Sequence, residues 1–158
     1  MRWAAIIAMS LGLAGCCCFM FQGDPYYSKY TRAKPDEKHL VGVYAIDGKS
    51  LDLARRLGAD LTTSTIELKG DGAYVMKDVP LLAIGTDRKQ LTNESGTWTV
   101  GKHQEWWVVS TQCEYTNEKG QRATAFGGFN LIGEKPPYVI HFTLGDPDSG
   151  DCVEFERQ

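Results

Sequence analysis

Residues 65–78, Thr65-Ile66-Glu67-Leu68-Lys69-Gly70-Asp71-Gly72-Ala73-Tyr74-Val75-Met76-Lys77-Asp78, decide the fold class. Ile66 and Leu68 alternate with Thr65, Glu67 and Lys69, the period of a strand with one face buried and the other in water. Gly70-Asp71-Gly72 tolerates a tight reversal, and a second strand follows over 73–78. The segment reads as an antiparallel hairpin.

The same grammar repeats on both sides. Upstream, residues 40–46 form a strand with Gly42, Tyr44 and Ile46 on one face. A helix follows, with Ser50 as its expected N-cap, Leu51, Leu53, Ala54 and Leu57 at helical spacing, and Gly58 as its stop. Downstream, strands are expected over 95–100, 105–113, 121–132, 138–144 and 151–156, each bounded by turn residues. Gly127-Gly128 predicts a bulge or bend, Val153 and Phe155 face inward, and residues 80–90 form a short strand or an apolar flap. A flat sheet of this size leaves edges exposed, whereas closing about eight strands on themselves removes them. The fold expected is all-β: a small up-and-down antiparallel β-barrel of about eight strands, with one short helix after the first strand.

The chain has 158 residues, of which 42% are hydrophobic and 23% charged, enough for one folded unit with a core. With 17 basic and 20 acidic residues and no basic block, several phosphate contacts cannot be assembled, and nucleic acid is excluded as a partner.

Arg2 precedes an uncharged apolar stretch over 3–15, the pattern of an export signal. The apolar run continues through Cys16-Cys17-Cys18-Phe19-Met20-Phe21, so an uncleaved anchor and an ordinary cleaved signal stand as alternatives. Leu13-Ala14-Gly15-Cys16 resembles the lipobox of bacterial lipoproteins. The resemblance implies that residues 1–15 are removed as a signal peptide. Cys16 then carries diacylglycerol and a fatty acid, and the chain is held on a membrane of the bacterial cell envelope. Residues 16–39 are then the lipidated N-terminus and a polar linker containing Pro25 and Pro35, and residues 40–158 the barrel.

Gly42-Val43-Tyr44 on the first strand, followed by a meander, resembles the lipocalin and fatty-acid-binding superfamily, and the helix placed after that strand is more like the fatty-acid-binding branch. Thr65-Ile66-Glu67-Leu68 with Gly70-Asp71-Gly72, Gly96-Thr97-Trp98, Lys135-Pro136-Pro137-Tyr138 and Gly145-Asp146-Pro147-Asp148-Ser149-Gly150 resembles a group of small uncharacterised exported bacterial proteins.

With Cys16 assigned to lipid, Cys17, Cys18, Cys113 and Cys152 remain. A Cys113–Cys152 disulfide and two free thiols are both open for an exported chain, and the bridge would be worth roughly 3 to 4 kcal/mol. His39, His103 and His141 fall in the linker, a turn and the outer face of a strand, so no histidine cluster and no metal site is expected. Asp146, Asp148 and Asp151 offer oxygens for Ca²⁺ but lack the bidentate acid of the calcium loop, and the same residues suit a hairpin turn. No nucleophile-and-base motif or phosphate loop occurs, so neither an enzyme nor a cofactor is expected. Trp98, Trp106, Trp107, Tyr138 and Phe142 are the aromatic candidates for a pocket or interface. Trp106 and Trp107 must point to opposite faces, and the outward one is the best single contact candidate.

The function expected is a non-enzymatic, lipid-anchored envelope module binding a small apolar molecule or envelope component. The alternative is an inhibitor or immunity-type lipoprotein that presents an outer barrel face to one protein. An open barrel favours the first, a filled one the second.

Overall fold

The computed structural model describes residues 24–80, 91–116, 120–144 and 150–158. Residues 1–23 with Cys16, Cys17 and Cys18, all but the first residue of the short strand or apolar flap expected over 80–90, and Asp146 and Asp148 lie outside the described residues.

The chain folds as β1 (Gly42–Ile46), α1 (Gly48–Arg56), β2 (Thr65–Leu68), β3 (Ala73–Pro80), β4 (Leu91–His103), β5 (Trp106–Thr116), β6 (Arg122–Ile132), β7 (Val139–Thr143) and β8 (Cys152–Arg157). The eight strands form one closed antiparallel barrel in sequence order. The opening hairpin keeps the register Ile66↔Met76 and Leu68↔Tyr74, and Tyr44↔Arg157 with Ile46↔Phe155 joins the first strand to the last. Tyr44, Ile66, Leu68, Tyr74, Leu131, Ile140, Val153 and Phe155 are all nearly or fully buried on the inner face.

Up-and-down order puts the β2–β3, β4–β5 and β6–β7 turns at one end, here the floor, and α1 with the remaining connections at the other, the mouth. The floor is packed. Leu40 is fully buried there and its carbonyl accepts a 2.8 Å hydrogen bond from the Tyr44 hydroxyl, while Trp98 Nε1 donates to the Lys69 carbonyl at 3.0 Å. Gly96, beside Trp98, is required by the wall: a Cβ there would lie 2.1 Å from the Gln112 carbonyl oxygen and 2.9 Å from the Tyr74 ring.

Three expectations are corrected. The cap of α1 is Asp47, whose carboxylate accepts from the Ser50 backbone N–H at 2.7 Å; Ser50 lies inside the first turn, and its hydroxyl accepts instead from the Glu154 N–H at 2.8 Å. The irregularity sits between Met76 and Val79, where Asp78 adopts φ 51°, while β6 pairs without a shift through Gly127↔Thr111 and Gly128↔Ser110. The two glycines permit close approach rather than a bulge, since a Cβ on Gly127 would meet Thr111 Oγ1 at 3.0 Å.

The expected linker is also more than a tether from residue 24 onwards. Tyr30 and Thr31 are buried, Tyr30 bridges to Ile132, and Thr31 N–H donates to the Leu131 carbonyl at 2.9 Å while its own carbonyl accepts from Trp107 N–H at 2.8 Å. β5 and β6 stop pairing with each other at Val108↔Asn130, and Thr31 supplies partners to the backbone beyond that point. Among the described residues no helix is long and apolar enough to cross a membrane.

Burial pushes the Tyr44 phenol up to about 12 from 10.0. Below pH 10 both folded and unfolded chains hold that proton; above it the unfolded chain releases it first, so this contribution to stability is lost as pH rises from 10 to 12. It amounts to about 2–3 kcal/mol. Chemical denaturation across this range is expected to show Tyr44→Phe less stable than the parent at pH 8, by about 1–2 kcal/mol for the lost hydrogen bond. Its alkaline decline should be shallower than the parent's, and equal slopes would remove the assignment.

Candidate functional site

The mouth is built by strands of unequal length. β4 has 13 residues and β5 and β6 have 11 each, against 4 to 6 in β1, β2, β7 and β8. The β6–β7 ladder ends at Asn130↔His141, whereas the β5–β6 ladder continues to Thr116↔Arg122. β5 and β6 therefore rise past β7, while β4 parts from β5 beyond Thr97↔Gln112 and stays paired with β3 to Pro80↔Leu91, so the inner face there borders a cleft instead of core.

Strand alternation decides what lines it. Glu94, Thr111, Cys113, Ala125 and Gly127 share the inner face with Trp98, Val109 and Phe129 one or more turns of the pleat below. A cavity of about 240 Å³ is lined by Glu94, Thr111, Cys113, Ala125 and Gly127 together with Met76, Phe126, Phe129 and Phe142, and an adjoining one of about 510 Å³ shares Glu94, Cys113 and Ala125 with it and adds Thr92, Asn93, Ser95 and Glu114. Phe129 and Phe142 meet edge to face at 4.8 Å between ring centres, and Phe142 meets Phe155 at 5.7 Å, so the apolar base of the cleft is continuous with the core.

One carboxylate gives this surface its polarity. The Tyr74 hydroxyl donates to Glu94 Oε1, and burial followed by that bond pushes the Tyr74 phenol well above its ordinary value. Burial, and then the hydrogen bond with Glu94, also push the Cys113 thiol up. Cys113 stays a protonated thiol at neutral pH, a poor nucleophile and a weak donor. The arrangement is a cleft with an apolar base at Met76, Phe129 and Phe142 and a polar outer part that includes Glu94 and Glu114.

Of the five aromatic residues proposed from sequence, Phe142 lines the cleft and the other four lie elsewhere. Trp98 and Tyr138 are each 5% exposed and fill the floor half of the core, and Trp107 is half-buried with Lys34 Nζ 5.6 Å from its ring. Trp106 is the outward member of its pair, yet it is 8% exposed, because the chain's own residues 27–32 cover it. Tyr30 stacks on it at 5.0 Å, Tyr27 meets it edge-on at 5.6 Å, and its Nε1 donates to Asn130 Oδ1 at 2.9 Å. Arg32 closes the cover with a 2.8 Å ion pair to Glu105, which also accepts from the Tyr27 hydroxyl at 2.7 Å. The face expected to meet a partner is occupied by the molecule itself.

The Cys113–Cys152 bridge is not formed, and among the described residues both cysteines are free. Cys113 is on the inner face of β5, whereas Cys152 alternates with the buried Val153 on β8 and points out of the barrel, so the wall separates the two sulfurs. Cys152 instead keeps company with His141 and Glu154, a grouping that the spacing of residues along the chain does not announce. His141 is on the outer face as expected, but it is 1% exposed.

Sequence reading did not single out Glu94, Thr111 or Met76. Leu91-Thr92-Asn93-Glu94-Ser95 is polar enough to read as loop, and only its pairing with β3 reveals that Glu94 points inward. No family model, curated protein or solved structure matches the chain.

Trp106→Ala is expected to cost about 3–5 kcal/mol in denaturant unfolding, as a buried aromatic does. A loss below about 0.5 kcal/mol, the value of an open surface position, would show that residues 27–32 do not cover it.

Proposed function

We propose that the chain is a lipid-anchored binding module of the bacterial cell envelope that holds a small, largely apolar molecule in the mouth of its barrel. The observation that carries this reading is the cleft above Met76, Phe129 and Phe142, with Glu94 at its rim. The cavity of about 240 Å³ suits a small ligand whose main gain is apolar area removed from water at roughly 25 cal/mol per Å², and the adjoining one of about 510 Å³ leaves room for a polar end. Glu94 adds orientation, favouring a molecule with a hydroxyl or amine at the end nearest the rim. The packed floor does not exclude a ligand, because floor and mouth are different halves of one cylinder.

Address and mechanism fit together. The lipobox-like Leu13-Ala14-Gly15-Cys16 supports attachment through acyl chains, several of which give stable anchorage where one would be marginal. A module at a membrane surface meets apolar molecules where they are concentrated. Binding needs no activated nucleophile, in keeping with the raised thiol of Cys113. The protein-interaction alternative, an inhibitor or immunity-type role, is favoured by Phe126, 79% exposed on β6, although the same residue also borders the cleft. A single exposed ring is less than a patch.

Native mass spectrometry of the full chain, extracted in detergent from its own membrane, tests the reading. A co-purifying small molecule is expected, lost in Ala125→Phe, which fills the cleft from an inward position bordering both cavities. A stoichiometric protein in its place, retained in Ala125→Phe, would overturn it. The same spectrum reads the anchor: the mature N-terminus should be Cys16 carrying lipid, and an intact chain from Met1 without lipid contradicts attachment through that residue.

A further inference from the structure

We propose that His141, Cys152 and Glu154 form a binding site for a thiophilic divalent cation of the Zn²⁺ class on the outer wall of the barrel, beneath Tyr26. The register of one hairpin creates it. Cys152 and Glu154 are two apart on β8 and share a face, and the pairs His141↔Glu154 and Thr143↔Cys152 bring the histidine of β7 to that same face. Ile140, Val153 and Phe155, the alternate residues, are buried in the core, so neither strand can turn the three side chains inward. Asp47 N–H donates to the Glu154 carbonyl at 3.0 Å and Ser50 Oγ accepts from its N–H, so the start of α1 pins the strand at the glutamate.

The donor atoms of the three residues all lie within 4.8 Å of one another, and His141 Nδ1 is 3.5 Å from Glu154 Oε1. Tetrahedral Zn²⁺ holds nitrogen and oxygen at about 2.0–2.2 Å and sulfur at about 2.3 Å, so ligands stand roughly 3.3–3.8 Å apart around it. Small side-chain rotations close the difference. One neutral imidazole, one thiolate and one carboxylate carry two negative charges, the complement of a divalent cation, and the thiolate selects against hard ions such as Mg²⁺ and Ca²⁺.

A second observation points to a ligand independently of this clustering. The His141 side chain is completely buried, yet among the described residues neither of its ring nitrogens has a hydrogen-bond partner. A buried imidazole left in that state is costly, and the ring is held there by its surroundings: Tyr26 packs on it at 4.4 Å between ring centres and Tyr30 at 5.8 Å. Tyr26 and Tyr30 are themselves fixed by Asp24, which accepts from the Tyr26 N–H at 2.8 Å and from the Tyr30 hydroxyl at 2.5 Å. A cation answers one orphan nitrogen directly. The Cys152 thiol now donates to Tyr26 Oη at 2.9 Å; on metal binding the S–H proton leaves to solvent, an S–metal bond forms, and the phenol oxygen is left beside the fourth position. Glu154, with 30% of its side chain exposed, marks the way in.

Titration of the reduced full chain in detergent with Co²⁺ as probe, followed by competition with Zn²⁺, decides the matter. Cys16, Cys17 and Cys18 are present in every form compared, so the difference between proteins is what counts. The parent should show one equivalent more of thiolate-to-cobalt charge-transfer absorbance than Cys152→Ser, reversed by Zn²⁺. His141→Gln and Glu154→Gln should each bind at least about tenfold more weakly. Because a variant at a buried position can lose stability, the Zn²⁺-induced rise in melting temperature is read alongside: it should be present in the parent and reduced in all three variants. Absorbance undiminished in Cys152→Ser, or an equal thermal shift in parent and variants, overturns the site. Neither result bears on the cleft, whose lining shares none of these residues.

Discussion

Eight antiparallel strands closing on themselves leave room inside for side chains and little else, and this molecule meets that constraint with strands of very different length. The ladder that shuts the barrel, from Tyr44↔Arg157 to Ile46↔Phe155, is short, and so are the strands flanking it. Where all strands overlap, at the floor, the inner faces interdigitate into a continuous apolar core around Tyr44, Trp98, Leu131 and Phe155. Towards the mouth β5 and β6 continue past β7 and the β4–β5 ladder has ended at Thr97↔Gln112, so the inner residues there lose neighbours to pack on. The change from Val109 and Phe129 below to Thr111, Cys113, Ala125 and Gly127 above records that transition: bulk gives way to small and polar side chains. The cleft is thus a consequence of strand length.

The outer wall shows the complementary effect. A barrel of this size has an outside that should be polar, yet on β5, β6 and β7 it carries Trp106, Asn130 and His141, which need cover or partners. Residues 24–32 provide it, with Tyr30 stacked on Trp106, Thr31 in the backbone ladder and Arg32 paired to Glu105. Burial at Tyr30 pushes its phenol far above the usual range, with the bond to Asp24 acting in the same direction. The segment before the first strand accordingly belongs to the fold from Asp24 onwards.

How much of this was legible in the sequence follows from the range of each interaction. Alternation over 65–68 and the turn at Gly70-Asp71-Gly72 are local, and they specify the hairpin, the meander and the closed barrel with a helix after the first strand. The inward positions of Tyr44, Trp98, Val153 and Phe155 follow from the same period. What was missed depends on register or on distant chain. Asp47 and Ser50 both suit an N-cap, and the choice is made by Glu154, a hundred residues on. Leu91 to Ser95 is strand only because β3 is beside it. Trp106 looks available until residues 27–32 are laid over it, and a polar run such as Tyr26-Tyr27-Ser28-Lys29-Tyr30 does not say whether its rings face water or a wall. Cys113 and Cys152 invite pairing by count alone; inner and outer faces keep them apart.

The cleft and the histidine–cysteine–glutamate group stand back to back across β7. Phe142 sends its ring inward against Phe129 and Phe155, while His141, its neighbour, sends its ring outward under Tyr26. Because consecutive residues of a strand share one backbone, a displacement of Phe142 is transmitted to His141, and close packing on both faces leaves little slack to absorb it. The β6–β7 ladder stops at Asn130↔His141, so this is also the place where the wall is held by β8 and residues 24–31 more than by its other neighbour. A ligand that fixes His141 to Cys152 and Glu154 therefore ties β7 to β8 behind the base of the cleft, and stiffness there is a property that the outer face can set for the inner one.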